Sequence, residues 1–273
     1  MASIKLFRGE FGHVSALNTA CDLVTHAHRE AHIIIWLDGE SGEMTVGETS
    51  VRFGPEAAVG VNSFQPHSHR FPDGSDPGLF LAFYIEPDWM ARRQGRPAGA
   101  PLFHNPAIPL DTWLLGLAGN LFDRLVTAHD GADLALYETE RLIEGLIDGL
   151  NAAQAPNHVR TAQHLDFRIR KAIALMHASV SGRMTLDEIA RHVGLSRPHF
   201  FALFKEQMNL TPNVYWNTLR MEEALRQVET SEESLTAVAC NLGFTTQGNF
   251  TRFFRDHAGV PPTLYREAAR TAA

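Results

Sequence analysis

One stretch of this 273-residue chain occurs twice. Ile189-Ala190-Arg191-His192-Val193-Gly194 matches Val238-Ala239-Cys240-Asn241-Leu242-Gly243 at an offset of 49 residues. Past the glycine the offset becomes 50, pairing Phe200 with Phe250, Phe204 with Phe254, Leu210 with Val260, Pro212 with Pro262 and Tyr215 with Tyr265. A single residue inserted in a turn accounts for the change. Recurrence of the same apolar positions at helical spacing means two copies of one helical unit, each with its own small core.

Each unit has the punctuation of two short helices around a tight turn. In the first, Thr185-Leu186-Asp187-Glu188 is a capping box, Gly194 stops the helix, and Ser196 is placed to cap the next. In the second, Ser231 or Ser234 starts a helix, Gly243 stops it, and Thr245 or Thr246 caps its successor. This is the pattern of a helix-turn-helix, expected at about 184–207 and 234–257, with a long amphipathic helix at about 211–228 between them. A single copy reads equally well as a plain helical hairpin. Charge separates the alternatives: residues 1–156 carry 10 basic and 20 acidic groups, residues 157–273 carry 14 and 11, so the repeated half is net positive beside an acidic partner.

Residues 166–270 resemble the DNA-binding domain of the AraC/XylS family of transcription regulators. The resemblance is carried by Ala239, Gly243-Phe244, Phe250, Arg252, Phe254, Gly259-Val260, Pro262 and Tyr265-Arg266. It implies double-stranded DNA as partner, read by one helix from each unit in successive major-groove segments. The implied reading stripe of the second unit is Gln247, Asn249, Thr251 and Arg252 behind Thr246; in the first it is Arg197, Pro198, Phe201, Ala202 and Lys205 behind Ser196. Phe201 and Ala202 offer only apolar contact, for instance to thymine methyls, and Phe201 reads equally as core. Lys205, Arg220, Arg255 and Arg266 are candidate phosphate partners. Asn209 stands where the family usually has glycine, and asparagine tolerates the left-handed conformation. The resemblance also implies a homodimer, with RNA polymerase as a further partner, and leaves activation against repression open.

Residues 1–90 read as short strands, none longer than about seven residues: His32–Leu37, Glu43–Val46, Ser50–Phe53, Ala57–Val61 and Leu79–Ile85, broken by glycine turns. An antiparallel sandwich or jelly-roll barrel is expected. After an irregular stretch at Arg92–Pro109, two helices are expected within 111–151. One, capped by Asp111, bears Trp113, Leu114, Leu117, Leu121, Phe122 and Leu125; the other bears Leu142, Ile143, Leu146, Ile147 and Leu150. These stripes either pack on the barrel or form a dimer seam. The fold class is thus α+β: a barrel with two helices over 1–156, a short linker at Asn151–Asn157, and an all-α domain over 157–273.

The barrel resembles the cupin-like sensor domain that precedes many AraC-type DNA-binding domains, through Thr25-His26-Ala27-His28, Phe53-Gly54-Pro55-Glu56 and Gln65-Pro66-His67-Ser68-His69. On an extended strand His26 and His28 share a face, and His32 can join them. In metal-binding cupins a His-x-His pair, an acidic residue and a later histidine hold one divalent ion. His26, His28 and His67 match, while His32 or Glu30 takes the acidic place. Three readings follow: a metal site, a pocket for a small organic effector, or structural histidines. No cofactor is required for DNA binding. The alternative function is a metal-dependent cupin enzyme, a dioxygenase or isomerase, with a helical appendage; no other catalytic constellation is present. Cys21 and Cys240 have no ligand or disulfide spacing, and no charged leader or long apolar run occurs. A soluble, cytoplasmic protein with no membrane partner is expected.

Overall fold

The structure is a computed structural model describing residues 3–95, 100–127, 137, 139–145, 165–182 and 184–271. Among the described residues the N-terminal half forms ten strands in two antiparallel sheets. β1 (Ser3–Gly9), β2 (Gly12–Thr19), β9 (Gly78–Ile85), β4 (Ala31–Gly39), β7 (Ala57–Val61) and β10 (Ala107–Pro109) lie side by side in that order; β3 (Leu23–His26), β8 (His67–Arg70), β5 (Glu43–Val46) and β6 (Thr49–Arg52) form the second sheet.

The run Ile33-Ile34-Ile35 in β4 does not alternate with polar residues because both faces of its sheet are covered. Ile34 points between the sheets, with Met44, Val46, Phe53, Val61 and Phe80. Ile33 and Ile35 point outward, where Leu81 and Phe83 meet the helices α1 (Pro87–Gln94) and α2 (Thr112–Thr127). β4 is nine residues long and β2 and β9 eight, exceeding the expected length because a doubly covered strand has no polar edge to end it. β1, β2, β3, β8 and β10 add to the five strands named from the sequence. The last turn of α1 and the three residues of β10 occupy the two ends of the supposed connector at Arg92–Pro109.

Asp111 caps α2 by accepting the Leu114 N–H (2.8 Å). Leu114, Ala118 and Leu121 pack on the outer sheet face together with Leu142 and Ile143 of the helical residues 139–145. Leu146, Ile147, Leu150, the linker Asn151–Asn157 and the boundary at 156/157 lie outside the described residues.

The C-terminal half is helical: α3 (Phe167–Ser179), α4 (Leu186–His192), α5 (Arg197–Met208), α6 (Pro212–Thr230), α7 (Leu235–Asn241), α8 (Gln247–Ala258) and α9 (Pro262–Thr271). Two cores sit in register with the repeat. Phe200, Phe204, Leu210 and Tyr215 are buried in one, and Phe250, Phe254, Val260 and Tyr265 in the other. α6 contributes Tyr215 and Leu219 to the first core and Met221, Ala224 and Val228 to the second.

Thr185 and Glu188 complete the capping box of α4, and Gly194 and Gly243 stop α4 and α7 in the left-handed region, at φ 73° and 74°. Ser234, not Ser231, caps α7 by accepting the Ala237 N–H (3.2 Å), and Thr246 caps α8. Ser196 occupies the cap position of α5 but accepts no backbone N–H with its side chain. Pro198, two residues on, has no N–H to give.

The halves touch. Leu6 of β1 is buried in the second helical core, Phe64 stacks near Tyr215 at 5.8 Å, and the Thr218 hydroxyl of α6 donates to the Ala27 carbonyl (3.0 Å).

Candidate effector site and nucleic-acid interface

The second helix of each unit turns one side to solvent. On α5, Arg197, Pro198, Ala202 and Lys205 are exposed; Phe201 is half-buried at the edge of the first core under the Arg197 guanidinium (4.8 Å), so part of its ring packs as core and part stays exposed. On α8, Gln247, Asn249, Arg252 and Arg255 are exposed and Thr251 is half-buried. The exposed Ser196 and Thr246 mark the two helix N-termini, where backbone N–H groups suit an anion.

Among the described residues Lys205 and Arg252 form no ion pair, whereas Arg197 pairs with Asp187 and Arg255 with Asp256. Gln247 accepts a bond from Thr236 (2.7 Å) and the Asn249 amide donates to Thr245 (2.9 Å). Two expected phosphate partners are engaged elsewhere. Arg220 donates to the Leu242 carbonyl (2.9 Å) and lies over Phe244 (4.3 Å), so it braces the turn of the second unit. Arg266 holds the carbonyls of Val228 and Glu233.

His26, His28, His32 and His67 converge on one point. His26 ends β3, His28 lies in the following loop and not on the strand, His32 starts β4, and His67 starts β8. Ring centroids are 4.2 Å apart for His26 and His67, 4.5 Å for His32 and His67, and 4.8 Å for His26 and His28. Candidate ligand atoms of His26, His28 and His67 all lie within 4.8 Å of one another. Glu30 is not among them; it faces a separate crevice.

A carbonyl can only accept, so its partner nitrogen must carry the proton. His26 Nδ1 donates to Val24 O (2.6 Å) and His67 Nδ1 to Gln65 O (2.8 Å). Both rings therefore present an Nε2 lone pair, the orientation in which a backbone carbonyl steadies a ligating imidazole. His67 Nε2 and both His32 nitrogens are buried without a hydrogen-bond partner. Burial first, and then the neighbouring imidazoles, holds the pKa of His26, His28 and His32 far down, and burial does the same for His67. Neutral rings are the form that binds metal. These residues fit a divalent ion of the zinc, nickel or copper class, with one or more coordination positions left open.

The cavity they line has a volume of about 30 Å³, water- or ion-sized, and its roof is Ala258, Gly259 and Val260 from the end of α8. Above it, between the halves, lies a crevice of about 410 Å³ bordered by Arg8, His28, Glu30, Tyr84, Glu222 and Glu229. Burial and the neighbouring Glu30 push the Glu222 carboxyl up to about 7.

His257 was not legible as a site residue. It lies 190 positions beyond His67 in the chain, yet its ring stands 6.0 Å from His26, with Nε2 buried and unpartnered. The available signal was helical phase: Phe250, Phe254 and His257 follow at i, i+4 and i+7, so an imidazole occupies the apolar stripe of α8. His69, too, lines the cavity.

A family model described as a helix-turn-helix domain matches residues 189–268, from α4 into α9. The HTH-type transcriptional regulator ArgR of Pseudomonas aeruginosa is 29% identical over 147 residues, 54% of this chain and 44% of its own. The helical half is thus similar to the DNA-binding half of AraC-type regulators. The chain spans less than half the length of ArgR, as of several other regulators matched over the same half. A likeness over most of both chains is found in the probable transcriptional regulator LumQ of Photobacterium leiognathi, 25% identical over 252 residues, covering 88% of this chain and 91% of LumQ. The fold of both halves matches that of ToxT from Vibrio cholerae strain SCE256 in the apo form of a single-residue variant: TM-score 0.58, 12% identity, 98% and 97% of the two chains covered.

Proposed function

We propose that this chain is a sequence-specific DNA-binding transcription regulator of the AraC type whose β-half carries the effector. The observation that carries the reading is the paired one: α5 and α8 each present exposed polar side chains outward, and a single helix, α6, runs through both cores. DNA is read by Gln247, Asn249, Thr251 and Arg252 from the second unit, and by Arg197, Lys205 and the apolar edge of Phe201 and Ala202 from the first. Gel-shift titration of the region upstream of its own gene tests this. Arg252→Ala should weaken binding by roughly 1–3 kcal/mol, and His26→Ala should leave metal-free binding unchanged. Equal affinity of the native chain for that region and for unrelated DNA would overturn the reading.

For the effector, the histidine cavity supports a divalent metal ion over an organic molecule, because about 30 Å³ is far below the roughly 300 Å³ at which small-molecule pockets begin. Calorimetric titration with Zn²⁺ should give one ion per chain, lost in His67→Ala. A second reading rests on the crevice, whose 410 Å³ is of small-molecule size. Glu30, Glu86, Glu222 and Glu229 line it against Arg8, which pairs with Glu229, and Arg226; even with Glu222 partly protonated this favours a cationic organic occupant over an anionic one.

A further inference from the structure

His26 and His28 flank Ala27, and the Ala27 carbonyl leaves the β-half to accept a bond from Thr218 of α6 (3.0 Å). Thr218 is 1% exposed. The same hydroxyl lies 3.0 Å from the Val214 carbonyl one helical turn back. A hydroxyl has one proton and here two carbonyls compete for it, one on its own helix and one on the loop between two histidines. The bond has two discrete arrangements, which is what a transmitting element needs.

The histidines supply the displacement. Nitrogens sharing an ion at about 2.0–2.1 Å in tetrahedral array stand roughly 3.4 Å apart, whereas those of His26, His28 and His67 are only within 4.8 Å of one another. His26 and His67 are anchored through Nδ1 to backbone carbonyls, while the His28 ring has no such bond among the described residues and its residue is held only through its own carbonyl, which accepts from the Phe64 N–H (2.6 Å). Closing the triad therefore draws on the loop at 27–28. The same cavity is roofed by Ala258, Gly259 and Val260, so the end of α8 also lies against the moving groups.

We infer that the Ala27 carbonyl and the Thr218 hydroxyl transmit occupancy of the histidine triad to α6, the helix that sets the two DNA-reading units relative to each other. The inference rests on the metal reading above. With the triad open, Thr218 ties α6 to the β-half. With the triad closed, Ala27 withdraws, the Thr218 O–H turns to donate to the Val214 carbonyl alone, and α6 is released from the ligand loop.

Amide hydrogen exchange on the full chain, with and without saturating Zn²⁺, tests it beside calorimetry. The native chain should change exchange rates at 26–28 and also at 214–222 and 253–260, by about fivefold or more, the lower end of ordinary coupling between sites. Thr218→Val, which keeps the shape and loses the proton, should bind Zn²⁺ with unchanged stoichiometry and lose the change at 214–222; Thr218→Ser should retain it. Zn²⁺ uptake with changes confined to the β-half, or a Thr218→Val chain that still transmits, overturns the coupling alone. No uptake by the native chain overturns the metal reading and the coupling with it.

Discussion

Seven histidines among the described residues, at positions 13, 26, 28, 32, 67, 69 and 257, are held in the neutral form, in each case first by burial; His69 is pushed down to about 4 and His13 to about 3. Unfolding returns each to near 6.5. Below that pH the unfolded chain takes up protons that the folded one refuses, so stability is full above 6.5 and declines as pH falls toward 4. Glu222, raised to about 7 from 4.5, and Glu30, also raised by burial, act in the opposite sense, two groups against seven. The thermal midpoint of the metal-free protein should be lower at pH 5 than at pH 7.5; a flat or rising profile would contradict the burial of these rings. At this scale the sequence was informative where residues lie close along the chain: the two-residue spacing of His26 and His28, with His67 from the family pattern, named the triad. The spacing argument reached the right grouping through the wrong element, since β3 ends at His26. His257 and Thr218 enter through contacts between the halves, which no local pattern encodes.

The two units, element by element, differ in one informative place. α8 ends in Gly259 at φ 75°, and α5 ends in Asn209 at φ 57°. Asparagine adopts this conformation at small cost and alanine does not. Asn209→Ala should therefore lower stability by roughly 1–2 kcal/mol while Asn209→Gly is close to neutral, measured as the shift in denaturant midpoint. Equal effects of the two would mean that the left-handed turn is not what asparagine supplies. Thr185→Ala, which removes the hydroxyl that accepts the Glu188 N–H and leaves the backbone N–H of residue 185 bonded to the Glu188 carboxylate, should cost about 1 kcal/mol. The helices were legible because their stops and caps are local and because the repeat reports each core twice. β1 and β2 were not, because the signal is diluted: β2 alternates Val14 and Ala16 inward, but Ser15 between them is also buried, at 3% exposure, and breaks the contrast. α1 was hidden by its neighbours, since the glycines and prolines after it made the whole stretch read as a connector.

Over the whole molecule, the formal charge of −7 averages an acidic β-half and a helical half at net +3. With Arg220 and Arg266 bonded to backbone carbonyls, four cations remain along the two reading helices: Lys205 and Arg252 free of ion pairs, and Arg197 and Arg255 paired to neighbouring aspartates. Four phosphate contacts correspond to a log–log salt slope of about −4 per chain. A slope near −10 for one chain would show that phosphate contacts come from elsewhere. Among the described residues no helix is long and apolar enough to cross a membrane. The expected homodimer has a candidate surface in α2, where Trp113 is 58% exposed while Leu114 beside it is buried on the sheet.

α6 is one uninterrupted helix of 19 residues, about 28 Å long at 1.5 Å per residue, and it is clamped into a core at each end. Nothing along it can stretch. Under the proposed function this turns a protein length into a rule of spelling: the two short words that α5 and α8 would read sit at one separation, close to a single turn of the duplex, and moving them apart by even half a turn would place the second word on the far side of the helix. A search for the sites of this regulator can therefore fix the gap before it knows either word.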